Sequence, residues 1–136
     1  MKLREKRGNV MPVKRIGVLI AALMLVLSSV CAAENMEFVD ADGSTGYYVD
    51  TDSVNFYDDK LVDARIAVVK ANKNRRFVYA VQFDREKGTY QIFASMVQIY
   101  DTKDVIDSRT ESGPPLPYSY NSPMREIVDY IFALPH

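Results

Sequence analysis

The sequence contains very few of the residues that enzymes use as nucleophiles, general bases or metal ligands. It has one cysteine, Cys31, and one histidine, His136, the last residue of the chain. A Ser-His-Asp triad, a Cys-His pair and a zinc site each need such residues together inside the fold. There is also no glycine-rich phosphate-binding loop. Catalysis by carboxylates alone needs a deep cleft that a small domain seldom provides. We therefore expect no enzyme activity, metal or cofactor.

The first 33 residues have the layout of a bacterial secretory signal peptide. Residues 1–15 carry six basic residues and one acidic residue, whereas residues 16–30 carry no charge. The uncharged run of roughly 15 residues is short for a membrane span. Small residues at Cys31 and Ala33 predict cleavage after Ala33. We expect an exported protein, periplasmic or at the cell surface, whether translation starts at Met1 or at Met11.

Cys31 lies where a bacterial lipoprotein would be acylated. A lipoprotein signal has a large aliphatic residue three positions before the cysteine and a small residue directly before it. Ser28 and Val30 have the opposite sizes. Ordinary cleavage is therefore the prediction, with lipidation or an uncleaved anchor as alternatives. After cleavage no cysteine remains, so the core alone must hold the domain together.

Residues 34–136 are predicted to form a single domain, because about 100 residues leave no room for a second core. Removing residues 1–33 takes six basic residues and one acidic residue from totals of 17 and 18, which leaves a net charge of −6. Such a surface keeps an exported domain soluble and repels polyanions. Nucleic acid and anionic membranes are therefore not expected partners.

The middle of the domain, residues 62–100, alternates apolar and polar residues in three runs. A period of two predicts strands that bury one face. The apolar rows are Val62, Ala64, Ile66 and Val68; Phe77, Tyr79, Val81 and Phe83; and Tyr90, Ile92, Ala94 and Met96. Polar turns at residues 71–74 and 85–88 separate the runs, and Gly88 suits the positive φ of a hairpin loop. We predict a three-stranded antiparallel meander.

The third run has a second apolar row, Phe93, Val97 and Ile99, which we expect on the opposite face from Tyr90 and Ile92. An exposed apolar row of this kind needs cover. We expect this face of the sheet to be partly wet, with a homodimer interface as one use for it.

Two acidic stretches before the meander are predicted to be turns. Residues 37–39 form a short predicted strand, and residues 40–44 have the composition of a turn. A calcium loop would need glycine at its sixth position and glutamate at its twelfth, but Gly43 falls at the fourth and Thr51 at the twelfth. Further on, Asp50, Asp52 and Ser53 are expected to close a turn by accepting backbone N–H groups.

Residues 48–54, with the sequence YVDTDSV, precede a tyrosine-rich meander, a Pro/Ser stretch and a terminal helix. This arrangement resembles the surface-adhesin protein E family of bacterial envelope proteins, over residues 46–132. The resemblance implies a small antiparallel sheet with a C-terminal helix and a non-enzymatic binding role. Family members often pair a central-strand cysteine with one near the C-terminus, and the comparable places here hold none.

The segment after residue 100 is predicted to be an edge strand followed by a stiff connection. Asp107 and Arg109 suit an exposed border at residues 105–111. Residues 112–121 contain three prolines, which favour an extended chain. Tyr118 and Tyr120 in this connection are expected to pack on the sheet edge, and a recognition surface is the alternative.

One helix is predicted over residues 122–133, with Ser122 as N-cap and Pro123 at the first helical position. Its apolar stripe is Met124, Ile127, Val128, Ile131 and Phe132. A stripe of this spacing covers a sheet face. The predicted fold is α+β, an antiparallel meander of five or six strands with this helix packed on one face.

These observations favour a binding or adhesin-like module of the bacterial cell envelope, with a protein or another envelope component as partner. The candidate ligand-binding residues are the basic cluster of the turn near residue 73 and the two loop tyrosines. They are Lys73, Arg75, Arg76, Tyr118 and Tyr120. The alternative is a structural or accessory periplasmic protein that acts by homo-oligomerisation.

Overall fold

The structure is a computed structural model that describes residues 34–110 and 112–136. The predicted signal peptide, residues 1–33, lies outside the described residues. Residues 34–110 and 112–136 form seven strands and then one helix. The elements are β1 Met36–Asp42, β2 Thr45–Phe56, β3 Leu61–Lys70, β4 Arg75–Asp84, β5 Thr89–Ile99, β6 Val105–Arg109, β7 Leu116–Pro117 and α1 Pro123–Phe132.

The strands β1 to β6 lie side by side in chain order, and each pairs with its neighbour antiparallel. The two-residue strand β7 pairs with the beginning of β5, at the border that β6 leaves uncovered. The predicted α+β fold, an antiparallel meander with a C-terminal helix, is confirmed.

Both predicted meander turns occur. Between β3 and β4 a single 3₁₀ turn, Ala71–Lys73, ends at Asn74, whose φ of 55° is left-handed. Asparagine tolerates this conformation better than most residues. Between β4 and β5, Gly88 has a φ of +66°, where a side chain would be strained. These two turns therefore lie at opposite ends of β4.

The helix α1 begins as predicted. The Ser122 Oγ accepts the Arg125 N–H at 3.3 Å, and Pro123 needs no N–H partner at the first position. Four stripe residues, Ile127, Val128, Ile131 and Phe132, are buried. They pack with buried residues of the strands, namely Val49, Val62, Ala64, Ile66, Val81 and Phe83. The helix therefore closes the larger core.

A β-bulge in β5 makes the predicted side assignment of the third run wrong. Val81 pairs with Ile92 while Ala80 pairs with Ala94, so Phe93 is an extra residue in β5. An extra residue inverts the alternation beyond it. Val97 and Ile99 therefore lie on the same face as Tyr90 and Ile92, which is the helix face. Phe93 itself is buried.

The face opposite the helix was predicted to be partly exposed to solvent, but many of its side chains are buried. It carries a second buried apolar cluster, formed by Ala67, Val78, Ala80, Ala94 and Met96. Four charged side chains, Asp50, Asp63, Arg65 and Arg76, are also buried, together with the amide of Gln98. Buried charges are tolerated only when they are paired and hydrogen-bonded.

Three of these buried charges, Asp50, Arg65 and Arg76, belong to one connected network. Asp50 accepts the Arg65 Nε–H at 3.0 Å and also binds its Nη2. Glu34 lies 2.8 Å from the Arg76 Nη2 and 3.6 Å from the Arg65 Nη2. Arg76 also donates to Gln98. The start of the described chain is thereby tied to β2, β3, β4 and β5.

Other element boundaries differ from those predicted. β1 runs to Asp42, so only the end of residues 40–44 forms the turn, where Gly43 has a φ of +63°. β6 ends at Arg109 rather than at residue 111. The predicted turn at Asp50 and Ser53 is an irregularity within one long strand, β2. As predicted, Asp50 accepts a backbone N–H within this segment, that of Asp52, so Asp52 contributes its N–H rather than its carboxylate. Ser53 accepts the Arg65 N–H of the neighbouring strand β3 instead of closing a turn.

A charge placed in the core beneath the helix should remove much of the domain's free energy of unfolding. Ile127 is fully buried, so Ile127→Asp should cost about 3–5 kcal/mol, as an unpaired carboxylate in an apolar core does. Thermal melting followed by circular dichroism checks this. Ala133→Asp adds the same charge at an exposed position next to the helix and should cost less than about 1 kcal/mol. Equal melting temperatures for both variants would contradict this packing.

Breaking the Asp50–Arg65 pair should also be costly. Asp50→Ala leaves the buried Arg65 guanidinium without its closest carboxylate, and the expected loss is about 3–5 kcal/mol in urea unfolding. Asp52→Ala removes an exposed carboxylate two residues along and serves as the control. The double variant Asp50→Leu/Arg65→Met should recover part of the loss, because it leaves no unpaired charge. A double variant less stable than Asp50→Ala would refute this account.

Candidate functional site

The predicted basic cluster is divided between the surface and the interior. Lys73 is exposed in the 3₁₀ turn. Arg75 is half-buried and donates to the Asn74 carbonyl at 3.1 Å. Arg76 points to the opposite face, where it is buried and bound by Glu34 and Gln98. The Arg76 guanidinium is therefore occupied by internal partners.

The two predicted tyrosines lie at the other end of the sheet. Tyr118 donates its backbone N–H to the Gly88 carbonyl at 3.1 Å, in the turn that follows β4. Lys73 precedes β4, a strand of ten residues. At ~3.4 Å per residue the two ends of that strand are about 30 Å apart. The structure does not bring the five candidate residues together.

Tyr118 and Tyr120 have different surroundings. Tyr118 is half-buried and packs against the helix core, as favoured by the sequence. The expectation that Tyr120 also packs on the sheet edge is wrong, since its side chain is 76% exposed. The Arg125 guanidinium lies 4.9 Å from the centre of the Tyr120 ring. Cation–π contact of this kind holds an exposed ring in one orientation.

The tyrosines line a groove that we call the hairpin–helix groove, with a volume of about 360 Å³. Three segments contribute to it: the β4–β5 turn, the proline-rich connection and one side of α1. The lining residues are residues 85–88, Tyr118, Tyr120, Arg125, Val128 and Asp129. A volume of this size is at the lower end of the range for small-ligand sites, ~300–1,000 Å³.

Backbone hydrogen bonds hold the walls of the groove. Asp84 accepts the Lys87 N–H at 3.0 Å, and the Lys60 carbonyl accepts the Arg85 N–H at 2.7 Å. These bonds fix the turn that carries the side chains of Arg85 and Lys87. Pro123 and the Ser122 cap fix the start of α1, from which Arg125 projects. The site is thus built on ordered elements.

The charges in the groove are only partly neutralised. Asp129 accepts from the Arg125 Nε at 3.2 Å, and Glu86 lies 3.5 Å from the Lys60 Nζ. Arg85 stacks over the Phe132 ring at 4.9 Å. Among residues 34–110 and 112–136, no carboxylate lies within salt-bridge distance of Arg85 or Lys87. Two cations thus remain for a ligand.

The charged residues of the groove also act on the phenol of Tyr118. Burial raises the pKa of its phenol above the ordinary value. The positive charge of Arg125 opposes this rise, Asp129 adds to it, and weaker effects come from Arg85 and Asp84. The phenol is therefore neutral at physiological pH and can both donate and accept a hydrogen bond.

Sequence reasoning missed Arg85, Lys87 and Arg125. The turn at residues 84–88 was recognised, but its two basic residues alternate with acidic neighbours and do not stand out by charge. The only sequence feature that points to these residues is the proline-rich connection, which must pass one end of the sheet to reach the helix. The sequence alone does not show which end it passes.

Two other polar regions of the molecule, a second cavity and a buried carboxylate, are less suited to ligand binding. A second cavity of about 340 Å³ lies between β1 and the helix start, lined by acidic and neutral side chains. On the face opposite the helix, Asp63 accepts from Tyr57 and, at 3.2 Å, from Gln82. Burial raises the pKa of Asp63, while these two donors lower it in part. No three acidic, His or Cys side chains of the described residues could hold a metal ion.

In the part of the chain that the structure describes, no helix is long and apolar enough to cross a membrane. Comparison with known proteins found no match among family models, curated proteins or solved structures.

Proposed function

We propose that this chain is a non-enzymatic binding module of the bacterial cell envelope, exported by its N-terminal segment, which holds its ligand in the hairpin–helix groove. The observation that carries the proposal is the groove itself. It contains the exposed Tyr120 ring, with the Arg125 guanidinium over it. The same groove is lined by Arg85 and Lys87, for which no carboxylate of the described residues lies within salt-bridge distance. Binding sites combine apolar surface with a few well-placed polar groups in this way.

Sequence features support the envelope location and the adhesin-like role. The basic, apolar and small-residue order of residues 1–33 is that of a secretory signal. The YVDTDSV motif and the order of elements resemble the surface-adhesin protein E family. Aromatic side chains with little entropy to lose suit recognition, and Tyr120 is of this type.

Mass spectrometry of the protein purified from the bacterium should give a mature N-terminus at or close to Glu34. Signal peptidase requires small residues at the last and third-last positions of the leader, which Ala33 and Cys31 provide. A diacylglyceryl group on Cys31 would instead identify a lipoprotein. An intact N-terminus on protein from the cytoplasm would contradict export.

Tyr120→Ala should abolish most capture of envelope material by the protein. The immobilised protein is offered peptidoglycan, envelope extract and purified matrix proteins, and the bound fraction is measured. Because an aromatic anchor contributes about 2 kcal/mol or more, we expect a loss of at least about 30-fold in affinity. The exposed side chain should leave the melting temperature unchanged within about 2 °C.

Tyr100→Ala is the matched control for this experiment. Tyr100 is also an exposed tyrosine with a cation over its ring, since the Lys103 Nζ lies 4.6 Å from the ring centre. It follows β5, at the sheet end remote from the groove. Binding that both variants lose equally, or that neither variant loses, would reject the groove as the binding site.

A further inference from the structure

The groove offers a ligand two kinds of polar partner. Arg85 and Lys87 supply positive charge, whereas Glu86 and Asp129 supply carboxylate oxygens that accept hydrogen bonds. Asp129 and Glu86 each contact one cation, and each carboxylate has about four acceptor positions. A ligand that fits this lining must therefore carry both a negative charge and several hydrogen-bond donors.

The apolar surface of the groove is also restricted. Val128 is 1% exposed, so it offers a ligand almost no aliphatic surface. The remaining apolar surface is that of the tyrosine rings, chiefly Tyr120. Flat rings with a hydroxyl at one end suit a ligand with a flat apolar face and a polar rim.

We infer that the hairpin–helix groove takes an acidic sugar, a saccharide unit that carries a carboxylate. This inference rests on the proposed binding function and specifies its ligand. The carboxylate of the sugar binds Lys87 and Arg85, the two lining cations for which no carboxylate of the described residues lies within salt-bridge distance. Its hydroxyls donate to Glu86 and Asp129, and its ring lies against Tyr120.

Simpler anions fit the groove less well. Acetate would meet the repulsion of Glu86 and Asp129 and would bring no hydroxyl to either carboxylate. Phosphate would bring a hydroxyl but no apolar face for the Tyr120 ring. A long polyanion would meet the negative charge of the whole domain, −6 for residues 34–136 after six basic residues and one acidic residue are removed with the leader. A short carboxylated saccharide avoids both costs.

Calorimetric titration of the purified protein with cellobiouronic acid, and with its neutral counterpart cellobiose, tests the inference. The two ligands differ only at one C6 position, where a carboxylate in the acid replaces a hydroxymethyl group in cellobiose. We expect the acid to bind at least about tenfold more tightly, because a charge-assisted hydrogen bond to a carboxylate is worth a factor of this size. Raising the NaCl concentration should lower the affinity for the acid and leave the affinity for cellobiose unchanged.

Lys87→Ala should lower the affinity for cellobiouronic acid about tenfold and leave the affinity for cellobiose unchanged. Lys73→Ala is the control, since it removes the same charge from an exposed turn at the far end of β4. Both side chains are exposed, so both variants should fold. An equal loss in both variants would show a general charge effect and overturn the inference.

Other outcomes separate this inference from the proposed function. If cellobiose binds as tightly as the acid and Tyr120→Ala abolishes both, the groove binds sugars but not through a carboxylate, and the inference fails alone. It also fails alone if neither sugar binds while capture of envelope material still depends on Tyr120. If acetate competes as well as cellobiouronic acid does, the inference that the ligand is a sugar is overturned. If capture does not depend on Tyr120, the proposed function itself fails.

Discussion

The ion pair between Asp50 and Arg65 is the constraint on which much of this fold depends. Asp50 also accepts the backbone N–H groups of Asn35 and Asp52, each at 3.2 Å, so one carboxylate joins the first described residues, β2 and β3. A buried carboxylate is stable only with such a full set of partners. The YVDTDSV motif thus has a structural use. Its aspartate pairs with a buried cation, and its serine accepts the Arg65 N–H across the irregularity in β2.

Local patterns were sufficient for most of the fold. The turn at Gly88, the Ser122–Pro123 helix start and the apolar stripe of α1 each depend on residues close together in the chain, and all three were predicted. The bulge at Phe93 could not be read in the same way, because an extra residue leaves no mark in a run where both sides are apolar. That one residue moved Val97 and Ile99 to the helix face. The buried network was also hidden, since pairing Asp50 with Arg65 requires the register of two strands.

The candidate site was predicted in part for the same reason. The tyrosines were selected by their place in a stiff connection, and that connection does form one wall of the hairpin–helix groove. The cations opposite them come from a turn that is remote in the sequence, whereas the densest group of basic residues after residue 33 lies at the turn near Lys73. Arg76 illustrates the limit of counting charges along the sequence, because strand alternation sends it to the face where Glu34 and Gln98 bind it. Sequence reasoning finds side chains suited to recognition more readily than the partners that surround them.

The proline-rich connection has a consequence for how this sheet meets other chains. It runs along the first half of β5, where Gln91 donates to the Gly113 carbonyl at 2.8 Å and Gly113 donates to Ile92 at 3.3 Å. Pro114, Pro115 and Pro117 are exposed along this segment and have no N–H groups. A strand from another molecule finds few donors there, so cross-β growth cannot readily begin at this border even where the protein is crowded.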